Sequence, residues 1–326
     1  MNLTDKAEIG RTGIMVGRLG LGGAPLAGLY TGVSDEQASA TIERHLNQGM
    51  NFFDTAPLYG SGVSETRLGQ VLSRRDRNSF VLASKVGRLL VPDPDRPQDV
   101  WSEDLPPIKA VFDYTYDGTM RSIEESLERL KLDRVDILHI HDPDNHYDEA
   151  MNGSYKALDK LRSEGVIKAI GAGMNQAEML ARFAREGDFD CFLLAGRYTL
   201  IDHTGLKELL PICTEKHISI IVGGPYNSGI LAMGAVEGAT FNYSPAPPDI
   251  MDKVQRIETI CARHQVPLKA AALQFPLAHP AVAAIIPGGR NPAEVDENAA
   301  LVQYDIPNDF WADLRTDGLI PDAAPT

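Results

Sequence analysis

Residues 34–56 read SDEQASATIERHLNQGMNFFDTA, and this stretch decides the fold. Ser34 carries the side-chain oxygen of a helix N-cap, Glu36 puts charge in the first turn, and Gly49 is a C-terminal stop. A helix is therefore expected between Ser34 and Gly49. The run 51–56 that follows is short and apolar, as a buried strand is. Working outward, further apolar runs fall at 17–23, 80–86, 136–142, 167–173, 189–196, 218–224 and 281–289. Amphipathic segments separate them, among them SETRLGQVLSRR, GTMRSIEESLERLKLD, SYKALDKLRSEG (with Gly165 as its stop) and NQAEMLARFAREG.

Strand–helix alternation requires parallel strands joined by crossover helices. About eight such units with no linker predict an α/β fold, one (β/α)8 TIM-barrel domain over residues 1–326. The rival, an open doubly wound sheet, normally carries G-x-G-x-x-G after its first strand. RLGLGGAPLAG has glycines there, but not at that spacing. Three stretches break the repeat. AEIGRTGIMVGRLG is expected to form a β-hairpin capping the barrel bottom. Residues 87–117 and 232–249 are long and rich in Pro, Gly or aromatic residues. They are expected as loops without regular structure over the C-terminal face, held by side-chain or ligand contacts.

The chain has 326 residues, 43% hydrophobic and 23% charged, which excludes a disordered or fibrous class. A net charge of −14 argues against nucleic acid or a membrane as partner. No apolar run is long enough to span a bilayer, and the first residues lack a secretory signal. Cys191, Cys213 and Cys261 are odd in number and set in apolar stretches, so they read as buried thiols. A soluble cytoplasmic protein is expected, a monomer or small homo-oligomer. The histidines show no ligand-pair spacing, so no metal is expected.

Ionisable residues end otherwise apolar strands: Asp54 in NFFD, Lys85 in FVLASK and His141 in ILHIH, with Tyr59 just after Asp54. A buried charge costs several kcal/mol unless it is paired or solvated. The residue types suit proton exchange at a substrate oxygen. A neighbouring ammonium lowers the pKa of a phenol, a carboxylate keeps the ammonium charged, and an imidazole orients the oxygen. His139 is expected to be buried and satisfied, and strand alternation turns Asp142 away from His141.

The chain resembles the aldo-keto reductases throughout its length. The resemblance is carried by NFFDTAPLYGSGVSETRLG, VLASKVG, RSIEESLERLKLDRVDILHIHDPD, IGAGMN and IIPGGRNPAEVDENA. It implies a (β/α)8 barrel that binds a nicotinamide cofactor without a Rossmann domain. Tyr59 would be the acid/base, Lys85 and Asp54 its tuning pair, and His141 the orienter of the substrate oxygen. The cofactor positions it implies are Gly23, Asn175, Pro225, Asn227, Gly229, Leu231, Gly288, Gly289, Arg290, Glu294, Glu297 and Asn298. The chain departs from the family at Met174, Ala195 and Gly223-Gly224, where Ser, Gln and a ring-stacking Tyr are usual. Gly288, Gly289 and Glu294 stand where NADP-dependent relatives place their phosphate clamp, so NAD is the preferred cofactor. Arg290 is the residue that would admit NADP, against its reading as a pyrophosphate contact or a surface ion pair.

Within the family the resemblance is to aldose 1-dehydrogenases and to pyridoxal 4-dehydrogenase. It implies a small-molecule sugar or aldehyde substrate and oxidation of a cyclic hemiacetal to its lactone. A general aldehyde or ketone reductase is an alternative. Trp101, Phe112, Tyr114, Tyr226 and Tyr243 are the candidate substrate contacts, weighed against packing of the loops on the barrel. Two other classes remain at this point: a Schiff-base enzyme using Lys85, and a non-catalytic cofactor-sensing module.

Overall fold

The computed structural model describes residues 1–95, 100–101 and 105–326. Eight parallel strands form the central sheet: β3 (Leu21–Gly22), β4 (Phe52–Asp54), β5 (Val81–Val86), β8 (Ile137–His141), β9 (Ala169–Met174), β10 (Cys191–Ala195), β11 (Ser219–Gly223) and β14 (Val282–Ile286). They pair in that order, and bridges Leu19↔Ile285 and Gly22↔Gly288 join the last strand to the first. The sheet is a (β/α)8 barrel, and each of its strands falls on one of the apolar runs of the sequence, β9 reaching one residue beyond its run.

The helix between Ser34 and Gly49 spans Asp35–Asn47, with the Ser34 hydroxyl accepting from the Gln37 amide. Gly49 and Gly165 each follow a helix with positive φ, a conformation that costs glycine little. The N-terminal hairpin is present as β1 (Lys6–Glu8) paired antiparallel with β2 (Met15–Gly17). Its Ile9, Ile14 and Val16 pack on Phe52, Ala83, Ile137, Ala169 and Cys191, closing the end where the strands begin.

The stretch 87–117 departs from expectation. It holds a regular antiparallel pair, β6 (Arg88–Pro92) with β7 (Ile108–Phe112), whose ladder hydrogen bonds satisfy the backbone of those two segments. The second stretch likewise contains a short pair, β12 (Thr240–Phe241) with β13 (Ser244–Pro245). Both lie on the C-terminal side of the barrel. The three cysteines are buried free thiols. Among the described residues no helix is long and apolar enough to cross a membrane.

Candidate active site

Registry brings the polar strand ends together. Lys85 pairs laterally with His139, and His141 with Gly173, so Lys85, His139 and His141 share the interior face. Lys85 Nζ lies 2.9 and 2.8 Å from the two Asp54 carboxylate oxygens and 2.9 Å from the Thr55 carbonyl oxygen. All three ammonium donors are thereby used. The side chains of Lys85 and Asp54 are only 1% and 2% exposed, so each is the other's substitute for water. Burial raises the Asp54 pKa, and Lys85 opposes that shift.

Tyr59 sits on the turn between β4 and the helix Val63–Leu72. Lys85 Nζ lies 4.5 Å from the centroid of its ring, over the face and not at the hydroxyl. The hydroxyl makes no hydrogen bond to a described residue. Burial, then Asp54 and Asp142, hold the Tyr59 pKa well above the usual phenol value. The net lowering expected from Lys85 is not realised: burial and the two carboxylates prevail, and the Lys85 donors go to Asp54 and Thr55. The His141 ring meets the Tyr59 ring edge-on at 5.9 Å. Burial, then Lys85 and Arg88, push its pKa well below the imidazole value, so it is neutral.

Two expectations about neighbours are corrected. His139 is fully buried, but neither ring nitrogen has a hydrogen-bond partner among the described residues. Gly171 leaves the room for its ring: a Cβ there would lie 2.4 Å from His139 Nδ1. Asp142 does not face away. Its φ of 45° breaks strand alternation at the end of β8 and brings Oδ2 to 3.5 Å from His141 Nε2. Arg88, on β6, holds the same oxygen at 2.9 Å. The reading of the sequence missed Arg88. The only signal for the turn of Asp142 was its residue type, since Asp is one of the few non-glycine residues that enter the left-handed region readily.

These groups open on a cavity of about 360 Å3, lined also by Trp101, Met174, Asn175, Leu193, Ala195 and Tyr243. That is the lower end of the range for small-molecule sites. The Trp101 ring lies 6.1 Å from that of Tyr59. Phe112 and Tyr114 fall outside the cavity, against expectation. Tyr114 is 1% exposed, and its hydroxyl donates to the carbonyl oxygens of His141 at 2.6 Å and Asp142 at 2.9 Å. Phe112 stacks on the outer side of Tyr114 with the Arg88 guanidinium 4.5 Å from its ring. Tyr226 is also not a cavity residue; its hydroxyl donates to Asn298 Oδ1 at 2.7 Å.

The expected cofactor residues fall on one side of this mouth and beyond it. Asn175 lines the cavity and donates to the Ala195 carbonyl oxygen at 3.2 Å. After β11 and Pro225, residues Asn227, Ser228 and Gly229 have φ of 46°, 58° and 103°. Asn227 is buried, with Nδ2 donating to Gly196 and Oδ1 unpaired among the described residues. A Cβ at Gly196, Gly224 or Gly229 would meet nothing closer than 3.4 Å. An orphaned buried amide oxygen beside open glycine backbone fits the close approach of a nucleotide.

Gly23 and Gly288 are tightly packed instead: a Cβ would lie 2.6 Å from Asp54 O and 2.4 Å from Pro25 Cγ, respectively. Gly289 follows Gly288 at the end of β14. Leu231 is wholly buried and its amide donates to Tyr226 O, so its side chain offers no ligand contact. Arg290 is held by Glu294, which accepts from its amide at 2.9 Å and its guanidinium at 2.8 Å. Glu297 pairs with Lys269 at 2.8 Å.

The chain belongs to the aldo/keto reductase family, whose model matches residues 18–316. It is accordingly an oxidoreductase of a class that uses nicotinamide cofactors. D-threo-aldose 1-dehydrogenase of Pseudomonas sp. is 40% identical over 95% of this chain and 96% of its own. Pyridoxal 4-dehydrogenase of Microbacterium luteolum is 39% identical over 98% of this chain and 99% of its own. The holo form of an aldo-keto reductase from Bacillus halodurans shares the fold, with a TM-score of 0.74 at 23% identity over 98% of each chain.

Proposed function

We propose that this enzyme oxidises the hemiacetal of an aldose to its lactone, with NAD as the preferred cofactor. One observation carries the reading: the Lys85–Asp54 pair, Tyr59 and neutral His141 meet at a single cavity. The similarity to D-threo-aldose 1-dehydrogenase supports the choice of substrate class. Tyr59 is the proton-exchanging group and His141 Nε2 orients the substrate oxygen. Lys85 and Asp54 supply a fixed dipole beneath the phenol ring.

A phenol whose pKa is raised is protonated at neutral pH, ready to donate in the reduction of an aldehyde. Oxidation requires it to take a proton from the anomeric hydroxyl, so the oxidative rate rises with pH. When bound, the nicotinamide supplies the hydride acceptor. Asn175, the loop 225–231 and residues 288–298 would hold the cofactor. Arg290, clasped by Glu294, is not free for a 2′-phosphate, which supports NAD over NADP. All three donor positions of Lys85 are filled, which disfavours the Schiff-base alternative.

A second reading rests on the equal similarity to pyridoxal 4-dehydrogenase: the Trp101 and Tyr243 rings suit a pyridine. A panel of aldoses, pyridoxal and simple aldehydes, run with NAD and with NADP, tests both. NADH formation with lactone product from an aldose is expected. Lactone only from pyridoxal would replace the first reading by the second, and binding without turnover of any substrate would leave a cofactor sensor. We read residues 1–326 as one domain and as a monomer or small homo-oligomer; three unpaired buried thiols support a reducing compartment such as the cytoplasm.

A further inference from the structure

Asp142 is held in the mouth by more contacts than an ion pair with Arg88 requires. Its amide donates to the Gly173 carbonyl oxygen at 3.0 Å. The Tyr114 hydroxyl bridges the carbonyl oxygens on either side of the His141–Asp142 peptide junction. Arg88 fixes Oδ2 at 2.9 Å. The left-handed backbone, which Asp enters more readily than most residues, is thus fixed by contacts on both sides.

The result is a carboxylate that lines the cavity, 31% exposed, with Oδ2 3.5 Å from His141 Nε2. Its Oδ1 accepts no hydrogen bond from a described residue. An ionised carboxylate is an acceptor only, with room for several donors. The oxygens of neighbouring carbons in a vicinal diol are separated by about 2.8 Å, roughly one hydrogen-bond length. A reacting oxygen on His141 therefore carries its neighbouring hydroxyl to the reach of Asp142.

We propose that Asp142 is a specificity-determining residue that accepts a hydrogen bond from the hydroxyl on the carbon next to the reacting carbon. The site would then select 2-hydroxy aldehydes and aldoses over their deoxy counterparts. This rests on the reading of the site as an aldose dehydrogenase for the position of the reacting oxygen. Discrimination comes from the acceptor left unpaired when the deoxy substrate binds.

The test compares lactaldehyde with propanal in the direction of reduction, and an aldose with its 2-deoxy form in oxidation. Asp142→Gly removes the carboxylate and suits the left-handed backbone, while Asp142→Asn keeps the shape and lowers the charge. The ratio of kcat/KM for hydroxylated over deoxy substrate is expected to fall at least 10-fold in the glycine variant, through KM of the hydroxylated partner, and by less in the asparagine variant. An equal proportional loss for both substrates, as from a displaced Arg88, overturns the proposal. So does an unchanged ratio. If the wild type makes no lactone from any aldose, the functional reading fails, while the lactaldehyde-to-propanal ratio still decides the role of Asp142.

Discussion

At the end where the strands begin, Ile9, Ile14 and Val16 of the hairpin close over Phe52, Ala83 and Ile137. Two residues further along the same interior faces come Asp54, Lys85 and His139, and then His141. One step of strand periodicity thus separates a dry apolar plug from a set of buried ionisable groups. The lower half supplies transfer free energy, about 25 cal/mol for each Å2 of apolar surface buried. The upper half consumes it, because its charges give up hydration for one another. Fixing Lys85 and His141 on such a floor lets them be desolvated without the barrel collapsing around them.

The comparison can be broken first at the upper end. Tyr59→Phe should lower kcat by about 10²- to 10⁴-fold, the usual worth of a positioned acid/base. NAD affinity, followed by fluorescence titration, should hardly change. A variant that keeps most of its kcat removes Tyr59 from the chemistry. At the lower end, Ile9→Ala should cost about 2–5 kcal/mol of stability in urea unfolding while leaving kcat at 25 °C as in the wild type. Loss of activity in a fully folded Ile9 variant would mean that the two ends are not separable.

The smallest effect is on acid stability. Burial keeps His45 and His139 neutral, each with its pKa pushed down to about 3. The unfolded chain binds those protons near pH 6.5, so the stability both contribute is complete above that pH and declines between 6.5 and 3. Each histidine should steepen the decline by about 1.4 kcal/mol per pH unit. His139→Leu, unfolded in urea at pH 7, 6 and 5, should show a decline shallower by about 0.7 kcal/mol over the first unit and about 1.2 kcal/mol over the second. Parallel profiles for variant and wild type would place a proton on His139 in the folded state.

Much of the architecture was legible because barrel strands are buried on both faces and read as uninterrupted apolar runs, while Gly49 and Gly165 mark helix ends through a backbone angle that few other residues accept. Asp54, Lys85 and His141 stood out because charge has no other reason to end such runs. Other features depend on contacts that no local pattern encodes. Whether Phe112 and Tyr114 face the cavity follows from the pairing of β6 with β7. Asp142 faces the site because of one dihedral angle. The acidity of Tyr59 turns first on its burial and then on how Asp54 and Asp142 surround it, which neither composition nor spacing shows.

The clasp between Arg290 and Glu294 lies at the start of the helix Pro292–Leu301, outside the cavity that Tyr59, Lys85 and His141 line. If it governs which dinucleotide pool the enzyme draws on, that preference is a detachable trait. A single exchange of Glu294 for a neutral residue would free the guanidinium and redirect the enzyme between catabolic and biosynthetic redox currencies, with no atom of the barrel interior disturbed.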